Sequence, residues 1–258
     1  EHLYSDAFRL FETVLSRFGV ETTYIDGTDT QAMVDALAGA RLVYLERPTS
    51  WTFRLQDLAA IATEARRLGV VSVIDNSWAT PLYQRPHEMG VDLVVHAASK
   101  YLSGHSDTLG GLVTGSRRMI QTIDHEATHL FGGRMSPMDA FLVLRGMRTL
   151  DMRMVRHMQT GLELARGLAD NPQVTAVHHP GLLATRPEGL SGFGGLFAFD
   201  LAAGVDVARF CDALRTIRIG VSWGGPESLI VPGQAACGLA GAANVFQRFG
   251  VSPRTIRL

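Results

Sequence analysis

Residues 71–107 read VSVIDNSWATPLYQRPHEMGVDLVVHAASKYLSGHSD, and this stretch decides the fold. Two short apolar runs frame it, 70–74 and 93–96. The first is apolar throughout except for Ser72 and ends at Asp75. The second ends just before Lys100. Runs of this length, rich in β-branched residues, read as strands buried on both faces, as in a parallel sheet. Working outward, 55–68 has helical spacing and is followed by Gly69, a suitable cap. Upstream, 42–46 reads as a strand closed by Arg47-Pro48, 31–38 as a helix, 21–25 as a short strand and 8–18 as a helix with Phe8, Phe11, Leu15 and Phe18 on one face. Downstream, 111–114 reads as another short strand. Strands alternating with helices predict an α/β fold with a mainly parallel sheet.

The pattern changes after residue 136. Ser136-Pro137 opens a helical stretch predicted to run to about Leu168, and Asn171-Pro172 ends it. Strands follow at 174–178 and 195–201, then a helix at 205–216, a Gly-rich tract from Gly220 and a strand-like end, Thr255-Ile256-Arg257-Leu258. The expectation is a larger domain over 1–136 and, over 137–258, a long linking helix with a smaller α+β domain.

Composition narrows the function. The chain has 258 residues, 24 Lys plus Arg against 25 Asp plus Glu, and 2 cysteines, Cys211 and Cys237. A near-zero net charge excludes a nucleic-acid partner bound through bulk basic charge. Two cysteines give neither a disulfide framework nor a CxxC metal knuckle. No apolar run reaches the length of a membrane span, and no targeting segment is visible. The opening Glu1-His2-Leu3-Tyr4 has no Met, so the chain reads as a fragment. One count stands out: of the 24 basic residues, 23 are arginines and one is lysine, Lys100. Codon bias accounts for the missing lysines. Arginine replaces lysine as a surface charge, but it cannot form an imine.

Asp75 and Lys100 each follow a strand of the same parallel sheet, where ligands bind outside the carboxyl ends. A pyridoxal 5'-phosphate (PLP) enzyme needs that pairing: a lysine to form the imine, and an acid to keep the pyridine nitrogen protonated so that the ring acts as an electron sink. An Asp at a strand end is also a common turn residue, so the pair alone decides nothing. The surrounding words resemble the Cys/Met-metabolism (trans-sulfuration) PLP family, and the branch they are most similar to is bacterial cystathionine β-lyase. The resemblance lies in the D-N-S stretch from Asp75, Gln84-Arg85-Pro86 and AASKYLSGHSD at 97–107. It continues in SPMDAFLVLRGMRTL at 136–150, HHPG at 178–181, GGLFAFDL at 194–201, SWGGPESL at 222–229 and TIRL at 255–258.

The resemblance implies a fold-type I PLP-dependent transferase fold and a cytoplasmic homotetramer of dimers with shared active sites. It makes Lys100 the Schiff-base lysine, Asp75 the partner of the pyridinium nitrogen and Ser99 a hydroxyl for the cofactor phosphate. Tyr4 is then the ring-stacking tyrosine that serves in proton transfer. Arg257 clamps the substrate carboxylate, with Ser222 on the same side. The implied activity is β-elimination of cystathionine or a related cysteine S-conjugate to a thiol, pyruvate and ammonia. γ-Elimination or γ-replacement by a cystathionine γ-lyase, γ-synthase or methionine γ-lyase is the alternative within the family. Two departures from the usual pattern, Ala97 for a Ser and Ser50 for an Asn in PTSW at 48–51, resemble the β-lyase branch, as does Trp223 in SWGG. The family's N-terminal phosphate loop and subunit-reaching arm have no counterpart ahead of Tyr4, so a fragment of this kind is expected to build an incomplete site. A non-catalytic homologue is a further reading, opposed by the intact Tyr4, Asp75, Lys100 and Arg257. A competing motif, His125-Glu126-x-x-His129, matches a zinc-peptidase pattern. Its third ligand position is Met135, a poor Zn²⁺ ligand, so the expectation is no metal.

Overall fold

The computed structural model describes residues 3–239, 246 and 249–258, with the backbone alone for 237–239. The Glu1-His2 opening and part of the Gly-rich tract lie outside the described residues. Among the described residues the strands form two sheets. In the first, β1 (Leu42–Glu46), β2 (Val71–Asp75), β3 (Leu93–Ala97) and β4 (Gly111–Gly115) lie in the order β1-β2-β3-β4. β1 pairs parallel with β2, and β2 with β3. β4 returns antiparallel on β3, an orientation the sequence does not signal. Helix Leu58–Leu68 begins where the Asp57 carboxylate accepts the Ala60 amide at 3.0 Å, and Gly69 at φ +72° ends it. Its Leu58, Ile61 and Ala65 bury against Leu45, Ile74 and Val94 of the sheet. Full burial of each large side chain there contributes about 1.5–3 kcal/mol.

Two expectations are corrected. Residues 21–25 form no strand. Tyr24 instead packs its ring on Phe8 and Phe249, at centroid distances of 5.2 and 5.6 Å.

The long helical stretch is two helices, Pro137–Met147 and Leu150–Ala169. The Gly146 carbonyl accepts the Thr149 amide at 3.1 Å, the Thr149 hydroxyl at 3.2 Å and Arg153 Nη2 at 2.8 Å, which takes it out of the α-helical ladder. Gly146 is also required sterically: a Cβ there would lie 2.1 Å from the Ser103 carbonyl oxygen, just past Lys100.

In the second sheet, β5 (Val174–His178), β6 (Ala198–Leu201), β7 (Arg218–Ile219), β8 (Leu229–Pro232) and β9 (Thr255–Arg257) take the order β5-β6-β9-β8-β7. All neighbours are antiparallel except β7 and β8. Phe197, Phe199, Ile230 and Ile256 form its core with Ala165 of the long helix. β9 is last in the chain yet central in the sheet, so Arg257 is held opposite Ala198 on one side and Val231 on the other. The Tyr101 hydroxyl ties the two sheets together by accepting the Gly195 and Leu196 amides at 2.8 and 3.2 Å.

Candidate active site

The carboxyl ends of β1, β2 and β3 open onto a cavity of about 230 Å³. Lys100, Asp75, Ser99, Tyr4, Ser222, Trp223 and Arg257 all line it, so the seven residues expected of a PLP site meet in one place. A wider groove of about 870 Å³ elsewhere contains none of them.

Lys100 leaves β3 on a distorted helical turn, Ala98–Leu102, with its own backbone out of helical geometry at φ −93° and ψ −131°. Its Nζ donates to Ser222 Oγ at 2.6 Å and lies 5.4 Å from the centroid of the Trp223 ring. The 222–224 loop comes this close because Gly224, at φ +88°, has no Cβ to meet the Tyr101 amide 2.8 Å away. Burial lowers the Lys100 pKa, and Arg257 lowers it further. Asp75 and Asp6 oppose the shift.

Asp75 accepts the Ser77 amide at 2.8 Å. Burial raises its pKa, against the hydrogen bonds from Ser77 and the charge of Lys100. The half-buried Arg257 guanidinium donates no hydrogen bond to any described residue, and its Nε is buried without a partner. Its guanidinium carbon sits 5.2 Å from the Trp51 ring centroid. Burial brings its pKa down to about 10, and Tyr4 and Glu46 pull the other way. The Tyr4 hydroxyl donates to Asp6 at 2.8 Å. Burial and Asp6 push that phenol up to about 12. The Ser99 hydroxyl accepts the Gly110 amide at 3.0 Å.

Sequence reading missed Glu46 and Trp51. Glu46 ends β1 in register with Asp75 at the end of β2, so the strand-end rule that selects Asp75 selects Glu46 as well. Burial and the neighbouring Asp75 push its carboxyl up to about 8. No local signal marks Trp51, which reaches the cavity through a left-handed backbone at φ +66°.

The family model described as Cys/Met metabolism PLP-dependent enzyme matches residues 1–258. The chain belongs to that family. It is 40% identical over 236 residues to an L-methionine gamma-lyase of Pseudomonas putida, covering 88% of the chain and 59% of that protein. A putative cystathionine beta-lyase of Rhizobium johnstonii is 39% identical over 242 residues, covering 89% of the chain and 61% of that protein. Among solved structures, a cystathionine gamma-lyase of Lactobacillus plantarum complexed with L-serine matches at a TM-score of 0.92 and 32% identity, covering 99% of this chain and 69% of that one. A cystathionine gamma synthase of Xanthomonas oryzae pv. oryzae in complex with cystathionine matches at 0.92 and 34%, covering 99% and 68%. The chain thus spans about 60% of the length of the curated relatives it matches.

The cavity suits the family's cofactor. It offers a half-buried amine, a buried carboxyl whose cationic neighbour is that amine, and a half-buried guanidinium whose Nε has no hydrogen-bond partner. Such a set stays costly until matching charges arrive. The zinc-peptidase pattern does not assemble. His125 and His129 lie on an exposed helical turn with ring centroids 6.3 Å apart, and Arg134 Nη2 is 3.1 Å from His129 Nε2. Among the described residues no group of three or more His, Cys, Asp or Glu side chains is placed to hold a metal. No helix of the described residues is long and apolar enough to cross a membrane.

Proposed function

We propose that this chain carries the PLP site of a carbon–sulfur lyase that performs β-elimination on cystathionine or a related cysteine S-conjugate. One observation carries the reading: the Lys100 amine, the Asp75 carboxyl and the unpaired Arg257 guanidinium line one small cavity.

The bound cofactor supplies an electron sink for the charge left at the substrate Cα. The chain's own residues do the rest. Asp75 would hold the proton on the cofactor's ring nitrogen. Ser99 would offer its hydroxyl to the phosphate, and Tyr4 would help hold the ring. Arg257 receives the substrate α-carboxylate with two parallel N–H donors. It breaks no protein hydrogen bond to do so. The Lys100 amine would be the base that takes the Cα proton. Burial and Arg257 lower its pKa and so favour the neutral form this step needs. Ser222 keeps Nζ in place between proton transfers, and Trp223 walls the substrate side. Tyr4 or Lys100 protonates the departing sulfur; a phenol with a raised pKa stays protonated and available as the donor.

Ser50, Ala97 and Trp223 favour the β-lyase branch. The 40% identity to an L-methionine gamma-lyase favours a second reading, γ-elimination, which uses the same residues with one further proton shift. Products from cystathionine separate the two. Full-length protein is expected to yield pyruvate and homocysteine, whereas 2-oxobutyrate and cysteine would refute β-elimination.

Arg257→Lys is expected to raise KM for the amino-acid substrate more than it lowers kcat. It replaces a two-pronged donor by a point charge, at a cost of about 1.5–3 kcal/mol, or roughly ten- to a hundredfold. Steady-state kinetics check this, and an unchanged KM would remove Arg257 from carboxylate binding.

The proposal extends to a homotetramer of dimers with shared sites. In support, Leu130, Phe131, Met138, Phe141 and Leu144 are each more than 60% exposed, an apolar face that a second copy of the chain would cover.

A further inference from the structure

We infer that Glu46 is a positioning residue that fixes two walls of the cavity, Tyr4 and the Ser50-Trp51 turn, from a single carboxylate. The inference rests on the cofactor reading of the same site. Glu46 faces the cavity from the end of β1. Its Oε2 accepts the backbone amide of Tyr4 at 2.7 Å, across 42 residues of sequence. Its Oε1 accepts the Ser50 hydroxyl.

Each bond secures something the local chain does not. Tyr4 is the N-cap of helix Ser5–Arg9, and its side chain makes no capping bond, so the helix start is tied down through Glu46. That bond also sets where the Tyr4 ring stands relative to the cavity. On the other side, Ser50 precedes Trp51, which has the left-handed backbone and carries its ring beneath Arg257. A bulky residue with positive φ needs its surroundings to hold it there, and the Ser50 hydroxyl on Glu46 is one such hold. Glu46 is therefore the common anchor of the wall proposed to stack on the cofactor and of the platform under the proposed carboxylate clamp. It acts through Tyr4, Ser50 and Trp51.

Full-length protein loaded with PLP tests this with two readouts that need no turnover: PLP dissociation constant and visible circular dichroism of the bound cofactor. Glu46→Ala is expected to weaken PLP binding about tenfold, the worth of one or two lost hydrogen bonds, and to reduce the dichroic band. Glu46→Gln still accepts the Tyr4 amide and still bonds Ser50, and should stay within about threefold of wild type. In a Tyr4→Ala background the Glu46→Ala effect should shrink to less than half, because its main route is gone. Unchanged PLP binding in Glu46→Ala, equal loss in Glu46→Gln, or full additivity with Tyr4→Ala would each overturn the inference. Should Glu46→Ala fail to fold, Ser50→Ala cuts one of the two bonds: weaker binding by about two- to fivefold supports the inference, and unchanged binding overturns it. A wild-type protein that binds no PLP overturns the cofactor reading itself and this inference with it.

Discussion

Lys100→Arg, made in the full-length protein and supplied with PLP, is expected to abolish the visible absorbance of lysine-linked cofactor and to cut turnover by about 10²–10⁴-fold or more. The fold should survive. Lys100 makes one side-chain hydrogen bond, to Ser222, and its ammonium lies beside the Trp223 ring. Arginine keeps the charge and most of the reach, so both contacts have a substitute. It lacks a nucleophilic amine that can deprotonate at working pH. The variant therefore separates chemistry from packing. Absorbance spectra, far-UV circular dichroism and steady-state rates read it out. Retained turnover would take Lys100 out of the reaction.

Asp75→Asn should divide stability from activity. The carboxyl is buried and its pKa is raised. Such an acid favours the folded state while protonated, below its unfolded pKa, and that advantage is lost as pH rises through the folded value. At neutral pH the charged form is thus a burden on the cofactor-free protein. Asparagine removes the burden and still accepts the Ser77 amide, so the cofactor-free variant should melt higher than wild type near pH 7. The gain should vanish at acid pH. Activity should fall by about 10²–10³-fold, a typical loss when a matched charge is removed from a desolvated site, because a neutral amide cannot keep the ring nitrogen protonated. Calorimetry at two pH values and kinetics on the PLP-loaded full-length protein check the two halves. A variant that is both less stable and fully active would contradict the role given to Asp75.

What the sequence made legible is what local chemistry determines. β1, β2 and β3 announce themselves as short apolar runs and fall within about one residue of their observed ends. Ser136 caps the helix it was expected to cap, accepting the Asp139 amide at 3.1 Å. The strand-like end of the chain, Thr255–Arg257, is a strand. What stayed hidden depends on partners distant in sequence. Residues 21–25 have strand-like composition, yet Tyr24 takes its place by ring contacts to Phe8 and Phe249, which lie far from it in the chain. The break before Leu150 needs Arg153 and Ser103 to be in place around Gly146. In the site, Lys100 stood out because it has no competitor of its own type, and Asp75 because it ends an apolar run. Glu46 meets the same strand-end rule as Asp75, but nothing in its local sequence sets it apart from a carboxylate at an ordinary strand end; only its register with Asp75 places it in the site. Trp51 and the orphaned Arg257 nitrogen depend on tertiary packing alone.

The central claim is that Lys100 is the cofactor lysine. Borohydride reduction of the PLP-loaded full-length protein, followed by peptide mass spectrometry, tests it directly. The account predicts a stable pyridoxyl adduct on the peptide containing Lys100, with Ser99 and Tyr101 on either side of it. An adduct on another residue, or no adduct in protein that still turns over substrate, would contradict it.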